Sequence, residues 1–271
     1  MTDQQTAPAR PTNAGAERIE QAIRGAAGRG ALMPYMMGGY PDLPTSVEIG
    51  KAYVEGGADL IELGIPYSDP LADGPVIQAA GTVALQNGAT FDGILGVCRE
   101  LAPLVPIVVM TYANIVQARG VEAFCAALID AGASGAIVPD LPPEESGELL
   151  EHADRVGLAL VPLIAPTTPD DRLALVGGRA RGFLYTVSVT GITGERQGSA
   201  AYQEVIDRAR RATDVPVALG FGISSGEQAR AAADAGADGV IVGSKLVRLA
   251  GADDPVTAVR EAVRELAGGL R

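Results

Sequence analysis

Short apolar runs alternate with amphipathic stretches along most of the chain. The apolar runs predict strands at Leu32–Met37, Leu60–Leu63, Ile107–Thr111, Gly135–Val138, Leu160–Ile164, Phe183–Val187, Val217–Leu219 and Gly239–Val242. Helical spacing fits Ala16–Ala27, Thr45–Gly56, Val76–Gln86, Phe91–Leu101, Val121–Ala131, Pro143–Val156, Tyr202–Ala212, Gly226–Ala235 and Pro255–Leu266. Strands that are apolar throughout are typical of a parallel sheet whose faces are both covered by helices.

Three of the turns from a helix into a strand share one sequence pattern. They are GADLIE at 57–62, GASGAI at 132–137 and GADGVI at 236–241. In each, glycine suits a left-handed helix end, and an apolar run follows. The eight repeats predict an α/β protein, a single (β/α)8 TIM barrel with an extra N-terminal helix and an extended loop after strand 2. A doubly wound open sheet is the alternative.

Length and composition favour one domain. Residues 1–14 are polar and contain proline, so we predict a disordered N-terminal tail followed by a catalytic barrel over residues 15–271. No apolar run approaches the ~20 residues that a membrane span needs. The first residues lack a hydrophobic signal core, which predicts a cytoplasmic protein. The net charge of −12 disfavours nucleic acid as a partner.

The segment from Leu60 to Gln78 carries the strongest candidate chemistry. In a barrel of this kind, the loops that follow the strands build the active site. Ile61 and Leu63 are apolar and should face the helices, so Glu62 between them should point into the barrel. Desolvation there should raise the pKa of Glu62 toward neutrality. The alternative is a structural carboxylate held by a partner.

Two further polar side chains are candidates for the same pocket. Asp73 lies on the loop beyond Glu62 and could reach a second substrate atom; the alternative is that it N-caps the helix that begins near Pro75. Tyr185 lies within the sixth predicted strand. Its hydroxyl could enter the pocket, or its ring could simply pack in the core.

Glycine-rich turns follow the last two predicted strands. Gly220–Ser225 and Gly243–Ser244 each lead into a helix, and the glycine-containing segment Ser188–Gly194 follows the strand before them. Backbone N–H groups at such turns bind anions, so the set predicts a phosphorylated ligand. Ordinary tight turns are the alternative for each loop taken alone.

The residue types that are scarce narrow the chemistry. The single histidine, His152, lies among charged residues of a helix, and Cys98 and Cys125 have the pattern of buried residues, so no metal site is predicted. Neither Lys51 nor Lys245 lies at a central strand end where a Schiff base would form. Metal-free general acid–base catalysis on a phosphorylated small molecule fits what remains.

Several motifs together resemble one family. They are ELGIPYSDPLADGPVIQ (62–78), MTYANIV (110–116), VPDLPPEES (138–146), VTGITG (189–194), GFGISS (220–225) and VGSKLV (242–247). In these motifs the chain is similar to the α subunit of tryptophan synthase, over about residues 32–249.

The resemblance implies a lyase of tryptophan biosynthesis. Such a subunit cleaves indole-3-glycerol phosphate to indole and glyceraldehyde 3-phosphate by a metal-free retro-aldol reaction. It needs no cofactor of its own, and it passes indole to a β subunit that carries pyridoxal phosphate, in an αββα heterotetramer. By resemblance, Glu62 is the acid–base residue, and Asp73 accepts the indole N–H.

The resemblance also implies roles for other positions. Those expected to bind substrate are Tyr35, Met110 and Phe221 around the indole, Gly194, Gly222, Gly243 and Ser244 around the phosphate, and also Tyr185, which matches a pocket tyrosine, and Thr193. Those expected to contact the β subunit are Pro66, Asp69, Asn114 and Pro142. Ser188–Gly198 matches a lid, in which Val189 stands where some members carry arginine.

Two other functions remain as hypotheses from the residues. An isomerase or ring-closing synthase would share the phosphate loops, although the pair of Glu62 and Asp73 argues against it. A barrel that mainly binds and activates a partner subunit would need that acid pair to be lost, and both members are present.

Overall fold

Strands and helices alternate along the part of the chain that the computed structural model describes, residues 13–187, 195–220 and 222–271. The strands are β1 Ala31–Met37, β2 Ile61–Gly64, β3 Ile107–Met110, β4 Gly135–Ile137, β5 Ala159–Leu160, β6 Leu163–Ile164, β7 Leu184–Val187, β8 Val217–Gly220 and β9 Gly239–Val242. The helices are α1 Ala14–Gly25, α2 Leu43–Gly56, α3 Pro75–Gln86, α4 Phe91–Leu101, α5 Ala113–Arg119, α6 Val121–Asp130, α7 Gly147–Val156, α8 Asp170–Arg179, α9 Glu195–Ala212, α10 Gly226–Asp234, α11 Ser244–Leu249 and α12 Pro255–Leu270.

All the strand pairs are parallel, and the sheet closes into a barrel. Its order is β5-β4-β3-β2-β1-β9-β8-β7-β6. The end strands β5 and β6 are two halves of the predicted fifth strand, interrupted where Pro162 offers no N–H. Val161 N–H donates to Ala136 O at 2.9 Å, and Tyr185 N–H donates to Pro162 O at 3.1 Å. This segment therefore joins β4 to β7, which confirms the barrel and excludes the open sheet.

Several predicted helix boundaries were wrong. The predicted helix Pro143–Val156 is a 3-10 turn at Pro143–Glu145 followed by α7. The helix predicted from Tyr202 begins at Glu195, so the last four residues of the predicted lid Ser188–Gly198 belong to α9. Three helices were not predicted: α5, α8 and α11. The long connection after β2 was predicted, and it contains α3 and α4.

The repeated turn before a strand has the predicted geometry. Gly57, Gly132 and Gly236 have positive φ angles of 106°, 80° and 96°. The aspartates of the pattern add a contact that the sequence did not predict: Asp59 accepts a hydrogen bond from Leu32 N–H, and Asp238 accepts one from Val217 N–H, both at 2.8 Å. Each carboxylate thus fixes the start of a neighbouring strand.

The N-terminal helix covers the bottom of the barrel. Ile19 and Ile23 pack against side chains of the barrel interior. The helix begins at Ala14, and Asn13 caps it by accepting a hydrogen bond from Ala16 N–H at 2.7 Å. Residues 13 and 14, which were assigned to the tail, are therefore part of this element; residues 1–12 lie outside the described part.

A largely buried ion pair fastens that helix to the barrel. The guanidinium of Arg181 donates two hydrogen bonds to Asp154, at 2.9 and 2.8 Å, and the two side chains are 7% and 16% exposed. Asn13 Nδ2 donates to the same carboxylate at 2.9 Å. Asp154 therefore holds together the cap of α1, helix α7 and the segment before β7.

Replacing Asp154 by alanine should destabilise the protein by about 3 kcal/mol, because it leaves the buried Arg181 without its counter-charge. Urea unfolding monitored by circular dichroism measures this change. The matched control is Asp130→Ala, which breaks an exposed ion pair with Arg99 at 2.7 Å and should cost less than about 1 kcal/mol. Equal losses in the two variants would contradict the role of Asp154.

Two other sequence predictions can be compared with the described residues. Cys98 and Cys125 are both free thiols and both buried, as predicted. Within residues 13–187, 195–220 and 222–271, no helix is both long enough and apolar enough to cross a membrane.

Candidate active site

A cavity of about 700 Å³ lies where the strands lead into their loops. Its walls come from segments that follow β2, β4, β8 and β9 and from side chains inside the barrel. Its lining residues are Tyr35, Glu62, Ala72, Asp73, Gly74, Ile77, Met110, Pro139, Leu163, Tyr185, Val187, Gly222, Ile223, Ser224, Ile241, Gly243, Ser244, Lys245 and Arg248. Most of the candidates for substrate binding meet in this cavity.

Glu62 lies in β2 and points into the barrel. It pairs in register with Tyr35 of β1 and Val108 of β3, and its neighbours Ile61 and Leu63 pack on the helix side. The residue is 1% exposed, and its Oε1 atom has no hydrogen-bond partner among the described residues. Burial raises the pKa of Glu62 to about 8. The carboxyl group is therefore largely protonated at neutral pH, which suits a general acid.

Tyr35 and Tyr185 stand beside Glu62 on the cavity wall. Burial, followed by the charge of nearby carboxylates, raises the pKa of both phenols well above 10, so both remain neutral donors. Their rings fit only because small residues face them: a side chain at Gly64 would clash with Tyr35, and one at Gly220 with Tyr185. Tyr185 therefore both packs in the core and lines the cavity.

Asp73 enters the cavity from the loop after β2. The cap of α3 is Gly74, with no side-chain hydrogen bond, so Asp73 does not serve as the N-cap. Burial raises the pKa of Asp73, and a hydrogen bond donated by the Tyr112 hydroxyl partly offsets this. The same hydroxyl accepts a hydrogen bond from Ala72 N–H at 3.2 Å. Tyr112 therefore fixes both the backbone and the carboxylate at this point.

The glycine-rich turns form a separate corner of the cavity. Gly222 has a φ of 78°, and it lines the cavity together with Ser224, Gly243 and Ser244. Ser225, not Ser224, caps α10, accepting a hydrogen bond from Gln228 N–H at 3.2 Å. Backbone N–H groups and hydroxyls at such turns suit an oxyanion.

Sequence reasoning missed several residues of the site. Ile77, Pro139, Leu163 and Ile241 add apolar walls beside the predicted Met110. Lys245 and Arg248 follow Ser244 on α11 and add positive charge at the glycine-rich corner. Residues four apart on a helix lie on the same face, so Arg248 could have been placed beside Ser244 if α11 had been predicted as a helix. Tyr112 had no comparable local signal.

Some predicted residues fall outside the described part of the chain. These are Phe221 and the first seven residues of the predicted lid Ser188–Gly198, among them Val189, Thr193 and Gly194.

The residues predicted to contact a partner differ in exposure. Asp69 and Asn114 are exposed, and Pro142 is partly exposed. Pro66 is buried beneath α3, close to Gly81, which leaves little of its surface for a partner. Leu71, in the same loop, is 86% exposed and was not singled out from the sequence.

The chemistry of the cavity is acid–base. It joins a protonated buried carboxyl group, a half-buried carboxylate on a fixed loop and a corner suited to an anion. Among the described residues, no group of three or more His, Cys, Asp or Glu side chains could hold a metal ion.

Known proteins match the chain over most of its length. The family model for the tryptophan synthase alpha chain matches residues 22–269. The tryptophan synthase alpha chain of Synechococcus elongatus is 52% identical over 223 residues, which is 81% of this chain and 84% of the relative. The corresponding protein of Prochlorococcus marinus is 48% identical over 240 residues, 88% of this chain and 87% of the relative.

Solved structures agree with the sequence relatives. An aminoacrylate- and BRD0059-bound tryptophan synthase from M. tuberculosis is similar with a TM-score of 0.84 at 38% identity, over 93% of this chain and 96% of that chain. A structure described as the tryptophan synthase a2b2 complex from Pyrococcus furiosus gives 0.79 at 36% identity, over 88% and 97%. The chain belongs to the tryptophan synthase alpha chain family.

Proposed function

We propose that this chain cleaves indole-3-glycerol phosphate to indole and glyceraldehyde 3-phosphate. The observation that carries the proposal is the buried Glu62, whose raised pKa of about 8 keeps a proton available inside a cavity that also holds Asp73 and an anion-binding corner. A carboxyl group in that state can protonate carbon at neutral pH.

The reaction needs a proton to enter at one point and leave at another. Glu62 gives its proton to C3 of the indole ring, which makes the ring an electron sink. The bond from C3 to the glycerol chain then breaks, and its electron pair returns to the ring. The hydroxyl on the adjacent glycerol carbon becomes the aldehyde, and its proton goes to the Glu62 carboxylate. The acid is thereby restored, with no metal or Schiff base required.

Asp73 stabilises the charge that develops on the ring. Protonation at C3 makes the ring nitrogen cationic, and a carboxylate that accepts its N–H hydrogen bond lowers the energy of that state. The hydrogen bond from Tyr112 favours the ionised form of Asp73. Tyr112 is therefore a positioning residue for this step.

Tyr112→Phe should lower kcat about tenfold, because Asp73 loses a charge-assisted hydrogen bond and Ala72 N–H loses its acceptor. The pKa of Asp73 should rise, so the acid limb of the rate profile should move to higher pH. Steady-state kinetics from pH 5 to 9 measure both effects. A variant with a lower kcat but an unmoved acid limb would contradict the link to Asp73.

The test of the proposal is detection of indole from indole-3-glycerol phosphate incubated with the purified chain. An isomerase or ring-closing synthase would convert phosphorylated substrates without releasing indole, so the identity of the product separates the two functions. Absence of indole, both with and without an added β subunit, would overturn the lyase proposal.

The partner that we propose is a tryptophan synthase β subunit carrying pyridoxal phosphate, in an αββα assembly within the cytoplasm. Support comes from Leu71, a large apolar side chain exposed beside Asp69 on a loop stiffened by prolines. That loop also carries Asp73, so contact with a partner and catalysis share one segment.

Leu71→Asp should weaken binding to the β subunit at least tenfold, since it places a charge where an apolar contact is expected. Isothermal titration of the two subunits measures the affinity. Leu104→Asp is the matched control, because Leu104 is 51% exposed but precedes β3 at the other end of the barrel. Equal effects of the two substitutions would argue against this loop as the contact.

A further inference from the structure

Arg248 brings a positive charge to one end of the active-site cavity. It lies on α11, four residues after Ser244, and both residues line the cavity because they share a helix face. The residue is exposed at the rim, whereas Glu62 is buried inside the barrel.

Of the two basic residues that line the cavity in the described part of the chain, only one is already paired. Lys245 Nζ lies 2.8 Å from Glu265 Oε2 of α12, and this contact lowers the pKa of Glu265. The guanidinium of Arg248 forms no ion pair or hydrogen bond with any residue that the structure describes. The positively charged guanidinium of Arg248 is thus available to bind an anion at the glycine-rich corner.

The pKa shifts of the two catalytic acids have causes other than this charge. Burial raises the pKa of Glu62, and no basic side chain in the described residues offsets it. For Asp73, the offsetting group is the Tyr112 hydroxyl and not a cation. The cavity therefore separates a proton-holding region from a cationic rim.

The charge of the whole chain makes a local cation more important. A net charge of −12 repels a dianionic substrate at long range. Backbone N–H groups of the turns supply partial charges only, whereas a guanidinium supplies a full charge and a planar pair of donors that matches phosphate oxygens.

We propose that Arg248 binds the phosphate group of the substrate through its guanidinium. Arg248 would thereby determine specificity for phosphorylated ligands. This inference rests on the proposed function for the identity of the substrate. It adds to that function a side chain that selects the phosphate monoester over its dephosphorylated analogue.

Arg248→Gln tests the proposal on the full chain. Titration with glycerol 3-phosphate should show at least tenfold weaker binding than in the wild type, since a charge-assisted contact is lost. With indole-3-glycerol phosphate, KM should rise by a similar factor while kcat stays within about twofold, because the contact is equal in ground and transition states. Arg248→Lys should bind with intermediate affinity, since it keeps the charge but loses the planar fork.

Arg264→Gln is the matched control, because Arg264 is exposed on α12 and does not line the cavity. Unchanged affinity for glycerol 3-phosphate in Arg248→Gln, or an equal loss in Arg264→Gln, would overturn the inference and leave the lyase proposal intact. A third outcome is also possible: Arg248→Gln binds glycerol 3-phosphate more weakly, but the wild-type chain releases no indole. That outcome would support the role of Arg248 and overturn the lyase proposal.

Discussion

Glu62→Gln is expected to reduce indole release from indole-3-glycerol phosphate by about a thousandfold or more. Glutamine keeps the size of the side chain but can neither give a proton to C3 nor take one from the glycerol hydroxyl. Binding of glycerol 3-phosphate should be retained, because the glycine-rich corner is built from other segments. Single-turnover assays of indole and titration with glycerol 3-phosphate measure the two properties separately.

The titration of Glu62 should also determine the pH dependence of kcat/KM in the wild-type enzyme. The acid form of Glu62 is the competent form, and its pKa is about 8. As far as Glu62 is concerned, kcat/KM should therefore be constant below pH 8 and fall about tenfold per pH unit above it. Glu122→Gln, the same chemical change at an exposed position on α6, should leave rate and profile unchanged. Substantial turnover by Glu62→Gln would contradict the role given to Glu62.

The orientation of Glu62 could be predicted because it depends on local sequence alone. Side chains alternate along a strand, so apolar residues at 61 and 63 were sufficient to place residue 62 on the inner face. The repeated turn at Gly57, Gly132 and Gly236 was similarly local. Such features are encoded within a few consecutive residues, and the structure has them where the sequence predicted them.

Features that depend on distant segments could not be predicted in this way. Tyr112 reaches Ala72 across 40 positions of sequence, and nothing near Tyr112 indicates that contact. The N-cap alternative for Asp73 could be excluded only when Gly74 was found in that place. The split of the fifth strand depends on its pairing with β4 on one side and β7 on the other, so Pro162 was informative only within the closed barrel.

The arrangement that makes Glu62 an acid should also cost stability at high pH. In the unfolded chain its carboxyl group titrates near 4.5, whereas in the folded protein its pKa is about 8. Between these values the folded state holds a proton that the unfolded state releases, so the free energy of unfolding falls as pH rises across this interval. Each pH unit costs about 1.4 kcal/mol, so the total by pH 9 is roughly 5 kcal/mol.

Glu62→Gln should therefore be more stable than the wild type at pH 9 by roughly 5 kcal/mol and nearly equal to it at pH 5. Urea unfolding at pH 5, 7 and 9 measures the difference, with Glu122→Gln expected to follow the wild type throughout. Parallel curves for wild type and Glu62→Gln would show that Glu62 titrates normally in the folded state, and the acid role would lose its physical basis. A variant that gains stability while losing indole release would show that one buried carboxyl group causes both effects, because the desolvation that retains its proton for catalysis also opposes its ionisation.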